Sequence, residues 1–230
     1  MKAAIFGDSI MRGMYWDEEA AKYQIWHNDF LGDIEAAGGF ELVNHALVGS
    51  TVERGRANFD KVVAKGLDCQ LLLLEYGGND CDFDWAGIAE QADREHQPKT
   101  PLQAFEKAYA GLITKARSLH MKPVLMTLPP IDAHKYFAWF SRKLNPEPLL
   151  HWLGDINIIY RHQELYSLAV ARLAAAFSCP LIDLRSAYLP QHKLDGLIGV
   201  DGIHPTPAGY QLIWGEILRF FQQKPGSQPA

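Results

Sequence analysis

The chain has few of the features that mark secreted, membrane-bound or nucleic-acid-binding proteins. It contains only three cysteines, none in a Cys-x-x-Cys spacing, which predicts free thiols in a reducing compartment. Its net charge is -5, with acidic and basic residues interleaved, so it offers no basic stripe to a nucleic acid. No apolar run reaches the length of a membrane helix, and the four apolar residues between Lys2 and Gly7 are too few for a signal-peptide core. We therefore expect a cytoplasmic protein without stable membrane association.

Motifs that would identify other enzyme classes are missing as well. The chain has no Gly-x-Ser-x-Gly elbow, no Walker A or Gly-x-Gly-x-x-Gly nucleotide loop and no His-Glu-x-x-His zinc site. Asp80, Asp82 and Asp84 imitate the start of a calcium loop, but Trp85 stands where that loop needs glycine. The sequence therefore predicts neither a metal nor an organic cofactor.

The chain does have enough apolar sequence for one folded domain. Hydrophobic residues make up 48% of its 230 residues, and it shows no internal repeat and no low-complexity linker. We expect a single domain over residues 1–224 and a flexible tail over 225–230. Two segments between core elements, 81–100 and 131–155, have the polar or aromatic composition of insertions that lie over a site.

Short apolar segments alternate with amphipathic ones along the domain, which is typical of a parallel sheet covered by helices. The predicted strands are 2–6, 41–48, 70–76, 123–128 and 180–184. The predicted helices are 20–37, 56–66, 102–119, 156–177 and one that begins at Thr206-Pro207. In the helix over 156–177, the periodicity places five residues on the inward face: Leu165, Leu168, Ala169, Leu173 and Ala176. We expect a three-layer α/β/α fold with a five-stranded parallel sheet.

Two short stretches at opposite ends of the domain offer catalytic chemistry. Ser9 lies in a glycine-containing turn after the first strand, and Asp201 and His204 form a late Asp-x-x-His. A serine hydroxyl is a poor nucleophile unless a base removes its proton, and a histidine is a useful base when a carboxylate fixes its tautomer. Taken alone, Ser9 could cap a helix, His204 could be a loop residue and Asp201-Gly202 could be a turn. Their joint occurrence favours nucleophilic catalysis.

Three candidate residues follow the carboxyl ends of predicted strands. Ser9, Gly49 and Asn79 come soon after the first, second and third strands. Ligands of open parallel sheets bind outside the carboxyl ends of the strands, and a flavodoxin-like order 2-1-3-4-5 would bring these loops together. Taken alone, Gly49-Ser50 could simply end a strand, and Gly77-Gly78-Asn79-Asp80 could be a turn.

Four blocks of residues, in order along the chain, resemble those of a known family. They are Gly7-Asp8-Ser9-Ile10, Gly49 soon after Asn44, Gly77-Gly78-Asn79-Asp80 and Asp201-Gly202-Ile203-His204-Pro205. The set is similar to the sequence blocks of the SGNH hydrolases, also called the GDSL esterase/lipase family. The one departure is Ile10, where leucine is usual. Together the blocks span nearly the whole chain.

The resemblance implies a role for each matching residue. Ser9 would be the nucleophile, His204 the general base and Asp201 the residue that orients His204. The oxyanion hole would be formed by the backbone N–H groups of Ser9 and Gly49 and by the side-chain amide of Asn79. The chemistry agrees, since preorganised donors stabilise the charge of a tetrahedral intermediate. The implied reaction is the hydrolysis of acyl esters without metal or cofactor.

The substrate stays open at this stage. We expect a small-molecule acyl ester, small or carbohydrate-linked, while a lysophospholipase, a thioesterase or an acyltransferase would use the same residues. A different class of function, a non-catalytic flavodoxin-like binding module, would leave Asp201 and His204 without a role.

Segment 131–155 is rich in aromatic residues, namely Tyr136, Phe137, Trp139, Phe140 and Trp152. One hypothesis is that they form an acyl- or aryl-binding wall, or a lid over the site. The alternative is that they pack on the core or form a subunit contact. The oligomeric state does not follow from the sequence.

Overall fold

A computed structural model describes residues 1–27 and 30–223 of the chain, so the predicted tail at 225–230 lies outside the described residues. The strands are β1 (Lys2–Gly7), β2 (Met14–Asp17), β3 (Lys22–Ile25), β4 (Glu41–Asn44), β5 (Leu71–Glu75), β6 (Lys122–Met126) and β7 (Leu181–Ile182). The helices are α1 (Ser9–Arg12), α2 (Phe30–Gly38), α3 (Val52–Ala64), α4 (Trp85–Glu90), α5 (Leu102–Ser118), α6 (Ala133–Ser141), α7 (Pro146–Leu153), α8 (Ile158–Ala176), α9 (Leu184–Tyr188) and α10 (Pro207–Gln222).

Five strands form one parallel sheet in the order β4-β1-β5-β6-β7. Counted within the sheet this is 2-1-3-4-5, which confirms the predicted order and the three-layer α/β/α fold. The central strand β5 is an almost continuous apolar run, as expected of a strand that is covered on both faces. The order places the carboxyl ends of β4, β1 and β5 side by side, and Gly49, Ser9 and Asn79 follow those three ends.

Side chains of the sheet alternate between two apolar cores. Leu72 and Leu74 pack on one face with α3, α5 and α8, whereas Leu73 packs on the other face with α2, α9 and α10. This alternation follows from the two-residue period of a strand. None of the helices in the described residues is both long and apolar enough to cross a membrane.

The prediction of a helix over 20–37 was wrong for its first part. Lys22–Ile25 is a strand that pairs antiparallel with Met14–Asp17, and α2 begins only at Phe30. Gly13 takes a left-handed conformation (φ 81°) directly before this hairpin, and its carbonyl accepts a hydrogen bond from the N–H of Trp26 at 2.7 Å. Cross-strand packing of Trp16 on Tyr23 then stabilises the hairpin, which a helical spacing of apolar residues did not reveal.

The predicted inward face of the helix over 156–177 was only partly right. Ala169 is buried and Leu173 packs on the core, but Ala176 is exposed. Leu165 and Leu168 are 44% and 48% exposed, and the buried face of α8 contains Gln163, Tyr166 and Val170 instead. Gln163 tolerates burial because its amide donates to the carbonyl of Pro129 and accepts from the guanidinium of buried Arg185. Gln163 therefore lies on the buried face of α8, and Leu165 and Leu168 lie on its exposed face.

Element ends differ from the predictions where a cap or a loop decides them. Helix α3 begins at Val52 rather than near residue 56, because the side chain of Thr51 caps its first turn. Strand β4 ends at Asn44, and strand β7 has only two residues before Asp183 caps α9.

The segments 81–100 and 131–155 contain helices α4, α6 and α7. Their apolar side chains, with Ile159 of α8, form a third cluster around Trp85, Ile88 and Leu149, separate from the two cores on the sheet. This cluster lies at the carboxyl edge of the sheet, next to the loops that follow β5 and β6.

Candidate active site

Ser9 stands at the sharp turn from β1 into α1. Asp8 caps this short helix, since its Oδ1 accepts a hydrogen bond from the N–H of Ile10 at 2.8 Å. Ser9 is the first residue of the helix, so its N–H has no partner within the helix. The close approach of Gly7 to Met11 leaves no room for a side chain there, because a Cβ on Gly7 would lie 2.8 Å from Met11 Cγ. The turn thus holds Ser9 in place while the residue stays 7% exposed.

Ser9, His204 and Asp201 form a continuous hydrogen-bonded chain. His204 Nε2 lies 2.9 Å from Ser9 Oγ, and His204 Nδ1 lies 2.6 Å from Asp201 Oδ2. Asp201 Oδ1 accepts hydrogen bonds from the N–H groups of Ile203 and His204 at 3.1 and 3.0 Å. Burial alone would raise the pKa of Asp201, but the hydrogen bonds from His204 and the charge of its ring hold that pKa below the usual value. Asp201 is therefore a carboxylate at neutral pH.

The loop that carries Asp201 and His204 depends on Gly202. This glycine has φ 76°, and its carbonyl accepts a hydrogen bond from the N–H of Asp132 at 2.8 Å. A Cβ at position 202 would lie 2.3 Å from the backbone nitrogen of Tyr136. The close packing ties the loop to the start of α6, and Thr206 caps α10 directly after it.

Tyr23 of the β2–β3 hairpin is a member of the site that the sequence did not reveal. Its hydroxyl donates to Asp201 Oδ2 at 3.0 Å, and its ring packs edge-on against His204 with centroids 5.2 Å apart. Burial and then the charge of Asp201 raise the pKa of Tyr23, so the hydroxyl stays protonated and donates. Trp16 and Trp139 pack against Tyr23. The alternation of polar and apolar residues over 22–25, together with the aromatic residues of 14–17, was the signal that could have found this hairpin.

Asn79 follows β5, and its amide is fixed by Asp8. Asn79 Nδ2 donates to Asp8 Oδ2 at 2.9 Å, which uses one of the two N–H bonds of the amide and leaves the other available. Asp8 therefore caps α1 through one oxygen and holds Asn79 through the other. Both Ser9 and Asn79 line the same cavity.

A second buried carboxyl, Glu75 at the end of β5, lies beside Asp8. Burial, and next the charge of Asp8, raise the pKa of Glu75 well above its usual value. Burial also raises the pKa of Asp8, but the N–H of Ile10 and the charge of His204 oppose that rise. Two neighbouring buried carboxyls do not both ionise easily, so Glu75 is the one that stays neutral.

Gly49 reaches the site because the chain after β4 continues along β1. The N–H of Leu47 donates to the carbonyl of Gly7 at 3.0 Å, and Gly49 then takes a left-handed conformation with φ 68°. Asp80 ties this loop to the loop of Asn79, since its carboxylate accepts from the N–H of Val52 at 3.1 Å. Gly49 thereby lines the same cavity as Ser9 and Asn79.

The cavity beside these residues has a volume of about 370 Å³. Tyr136 and Trp152 of segment 131–155 line it, as do Phe83 and Trp85 of segment 81–100. Other aromatics of segment 131–155 have other contacts. Trp139 packs on Trp16 at 4.8 Å beside the hairpin, and Phe140 stacks on Trp85 at 4.1 Å. Tyr136 and Trp152 of the aromatic segment thus lie in the cavity wall, whereas Trp139 and Phe140 lie elsewhere.

The carboxylates of Asp82 and Asp84 accept hydrogen bonds from other groups of the protein. Within the described residues they belong to no group of three or more side chains that could hold a metal ion. Asp82 Oδ1 accepts from Trp85 Nε1 at 2.9 Å and from the hydroxyl of Tyr136 at 2.6 Å, and Lys99 pairs with its other oxygen. Asp84 caps α4.

Cys81 also lines the cavity, but burial raises the pKa of its thiol well above the usual value, so the thiol stays protonated.

Residues 5–212 match the GDSL-like lipase/acylhydrolase family. The chain belongs to this family. It is therefore a hydrolase of ester bonds, and the resemblance of its four sequence blocks to the family is confirmed.

Similar proteins agree with this assignment at the level of the fold. The lipase/acylhydrolase of Enterococcus faecalis superposes with a TM-score of 0.64 at 22% identity and covers 96% of each chain. A variant of Axe2, an acetyl-xylooligosaccharide esterase of Geobacillus, superposes with a TM-score of 0.67 at 18% identity, over 97% of this chain and 94% of its own. The uncharacterized lipoprotein YqeF of Bacillus subtilis is 26% identical over 93% of this hydrolase and 88% of its own length.

Proposed function

We propose that this hydrolase is a serine esterase that works through an acyl-enzyme on Ser9. The observation that carries the proposal is the unbroken chain of hydrogen bonds from Ser9 Oγ through His204 to Asp201. A non-catalytic binding module has no use for this arrangement. Variants of the Geobacillus esterase that are named catalytic mutants replace a serine, an aspartate and a histidine, which supports the same roles here.

In the first half of the reaction, His204 Nε2 takes the proton of Ser9 as Oγ attacks the ester carbonyl carbon. The carbonyl oxygen becomes an oxyanion, which the N–H groups of Ser9 and Gly49 and the free N–H of Asn79 are placed to stabilise. Asp201 fixes the tautomer of His204 and stabilises the imidazolium. The imidazolium then protonates the leaving alcohol, and the acyl group stays on Ser9.

In the second half, water replaces the alcohol. His204 takes a proton from the water, hydroxide adds to the acyl carbonyl, and the second tetrahedral intermediate collapses. Ser9 leaves with the proton that His204 returns, and the carboxylic acid is released. Both halves of the reaction use the same N–H groups to stabilise the oxyanion and the same base, His204.

The proposal is tested with p-nitrophenyl acetate and an organophosphonate label. Wild-type protein should hydrolyse the ester and take the label on Ser9, while Ser9→Ala and His204→Ala should lose both. Asp201→Asn should lower kcat by about 1,000-fold or more with the fold intact, because its Nδ2 would face His204 Nδ1 and disfavour the productive tautomer. The exposed Asp195→Asn is the matched control. Hydrolysis that survives Ser9→Ala would refute the mechanism.

Several expectations from the sequence remain predictions. These are the preference for small or carbohydrate-linked acyl esters, the alternatives of lysophospholipase, thioesterase and acyltransferase, and the cytoplasmic location. A panel of esters and of acceptor alcohols, with product analysis, would separate the reactions.

A further inference from the structure

The cavity beside Ser9 extends well beyond the space that an acetyl group needs. Besides Asn79, residues of segment 81–100, of α7 and of the first turn of α8 line this cavity. Six of the side chains that form this extension are Phe83, Trp85, Leu128, Tyr136, Trp152 and Ile159. We call this extension the aromatic chamber.

The walls of the aromatic chamber offer mostly apolar surface. Trp85 Nε1 and the hydroxyl of Tyr136 both donate to Asp82 Oδ1, so their polar ends are already satisfied. The ring of His162 packs on Phe83 with centroids 5.0 Å apart, and burial lowers its pKa, so the ring is uncharged; its buried Nε2 has no partner among the described residues and is one of the few polar atoms in this wall. A sugar needs many polar partners, whereas an apolar group needs this kind of wall.

The chamber is also held in shape before any substrate binds. The carboxylate of Asp82 joins Trp85 of α4 to Tyr136 at α6, and Lys99 anchors the same carboxylate at 2.7 Å. Phe140 stacks on Trp85 with ring centroids 4.1 Å apart, and it also packs on Tyr136 with centroids 5.0 Å apart. Because the pocket is preformed, its side chains lose little conformational entropy when a group binds there. Such a pocket is also selective for the size of the group.

The geometry of the reaction assigns the chamber to the acyl part of the ester. In the tetrahedral intermediate, Ser9 Oγ, the oxyanion, the leaving oxygen and the acyl carbon occupy the four corners. The leaving oxygen must lie beside His204 Nε2, which gives it a proton, and the oxyanion must face Asn79. The acyl carbon is the remaining corner, and Ser9, Asn79 and Cys81 line the same cavity as the chamber.

We propose that the aromatic chamber binds an apolar acyl group larger than acetyl, namely a medium-length chain or an aryl-bearing acyl group. This inference rests on the proposed function, since it places the acyl group by its bond to Ser9. It differs from that function in naming the part of the substrate that the hydrolase selects.

The test compares two ester series with wild-type protein. One varies the acyl group in p-nitrophenyl acetate, butyrate, hexanoate and phenylacetate, and the other varies the alcohol in phenyl and 1-naphthyl acetate. We expect kcat/KM to rise by roughly tenfold or more from acetate to hexanoate or phenylacetate, since each buried methylene favours binding by up to about fourfold. The alcohol series should change little. A flat acyl series, or a preference that follows the alcohol instead, overturns the inference.

Two substitutions on one helix provide a matched pair. Leu153→Trp adds bulk at a residue that lines the cavity, whereas Leu150→Trp makes the same change at a residue that is 42% exposed on α7. Leu153→Trp should remove most of the gain for hexanoate, measured as the ratio of kcat/KM for hexanoate to kcat/KM for acetate. Leu150→Trp should keep the wild-type acyl profile. Equal acyl profiles for the two variants would contradict the assignment.

A third variant covers the case in which Leu153→Trp fails to fold. Trp152→Ala enlarges the chamber and should move the preferred acyl chain to octanoate or longer, while an unchanged preference would contradict the inference.

The outcomes also separate this inference from the proposed function. Acetate hydrolysis that needs Ser9 but shows no acyl preference ends only the chamber assignment, whereas hydrolysis that survives Ser9→Ala ends the mechanism itself.

Discussion

The hydroxyl of Tyr23 donates a hydrogen bond to Asp201 Oδ2 over 3.0 Å, although the two residues are 178 positions apart in the chain. Asp201 Oδ2 is also the atom that accepts from His204 Nδ1. The β2–β3 hairpin thus extends the hydrogen-bonded chain of Ser9, His204 and Asp201 by one member. Tyr23 touches no reacting atom in the proposed mechanism, so we regard it as a positioning residue.

Tyr23→Phe should lower kcat by about tenfold with little change in KM, because one hydrogen bond to a carboxylate is lost. Tyr15→Phe on the same hairpin is the control and should leave kcat unchanged. A Tyr23→Phe variant with the wild-type kcat would show that the tyrosine only packs.

Asn79→Ala should lower kcat by about 100-fold or more and change KM much less. The amide N–H that Asp8 leaves free is expected to bond the oxyanion, and that bond matters most in the transition state. Steady-state kinetics on one ester measure the two constants. The exposed Asn157→Ala serves as the matched control. A rise in KM alone would place Asn79 in ground-state binding instead.

Glu75→Gln should stabilise the protein progressively as the pH rises. The folded-state pKa of Glu75 is raised, so its contribution to stability is fully present below the ordinary value of 4.5 and is lost as the pH rises toward the folded value. Glutamine stays neutral and has no such loss. Thermal unfolding from pH 4 to pH 9 should show equal melting temperatures at pH 4 and a growing advantage for the variant above it.

The exposed Glu41→Gln should show no such divergence. If Glu75→Gln and wild type keep a constant difference in melting temperature across this range, Glu75 does not hold a proton in the folded state.

Gly202→Ala should destabilise the protein by about 2–4 kcal/mol, because alanine at φ 76° is strained and its Cβ meets the backbone of Tyr136. Esterase activity should fall as well, because the loop holds Asp201 and His204. Denaturant unfolding measures the change in free energy. Gly196→Ala is the control, since no atom of the described residues lies within 4 Å of its added Cβ. Equal stability of the two variants would contradict this account.

Much of the fold followed from local pattern. Apolar runs of strand length and helical stripes are properties of short segments, so the five parallel strands and the long helices α3, α5, α8 and α10 could be assigned from them. The errors arose where a distant contact outweighed the local pattern. Residues 22–25 form a strand because Tyr23 packs on Trp16, and Gln163 displaces Leu165 from the core because Pro129 and Arg185 satisfy its amide.

The sequence by itself determined the strands of the sheet and the loops on which Ser9, Gly49, Asn79 and His204 lie, because hydrophobic period and motif spacing are properties of the chain itself. Only the tertiary structure decided that Tyr23 joins Asp201, that Asp8 holds Asn79, and which aromatics of the inserted segments reach the cavity. Those contacts join residues far apart in the chain, and a hydrogen bond or a packed ring depends on positions in space that no local pattern specifies.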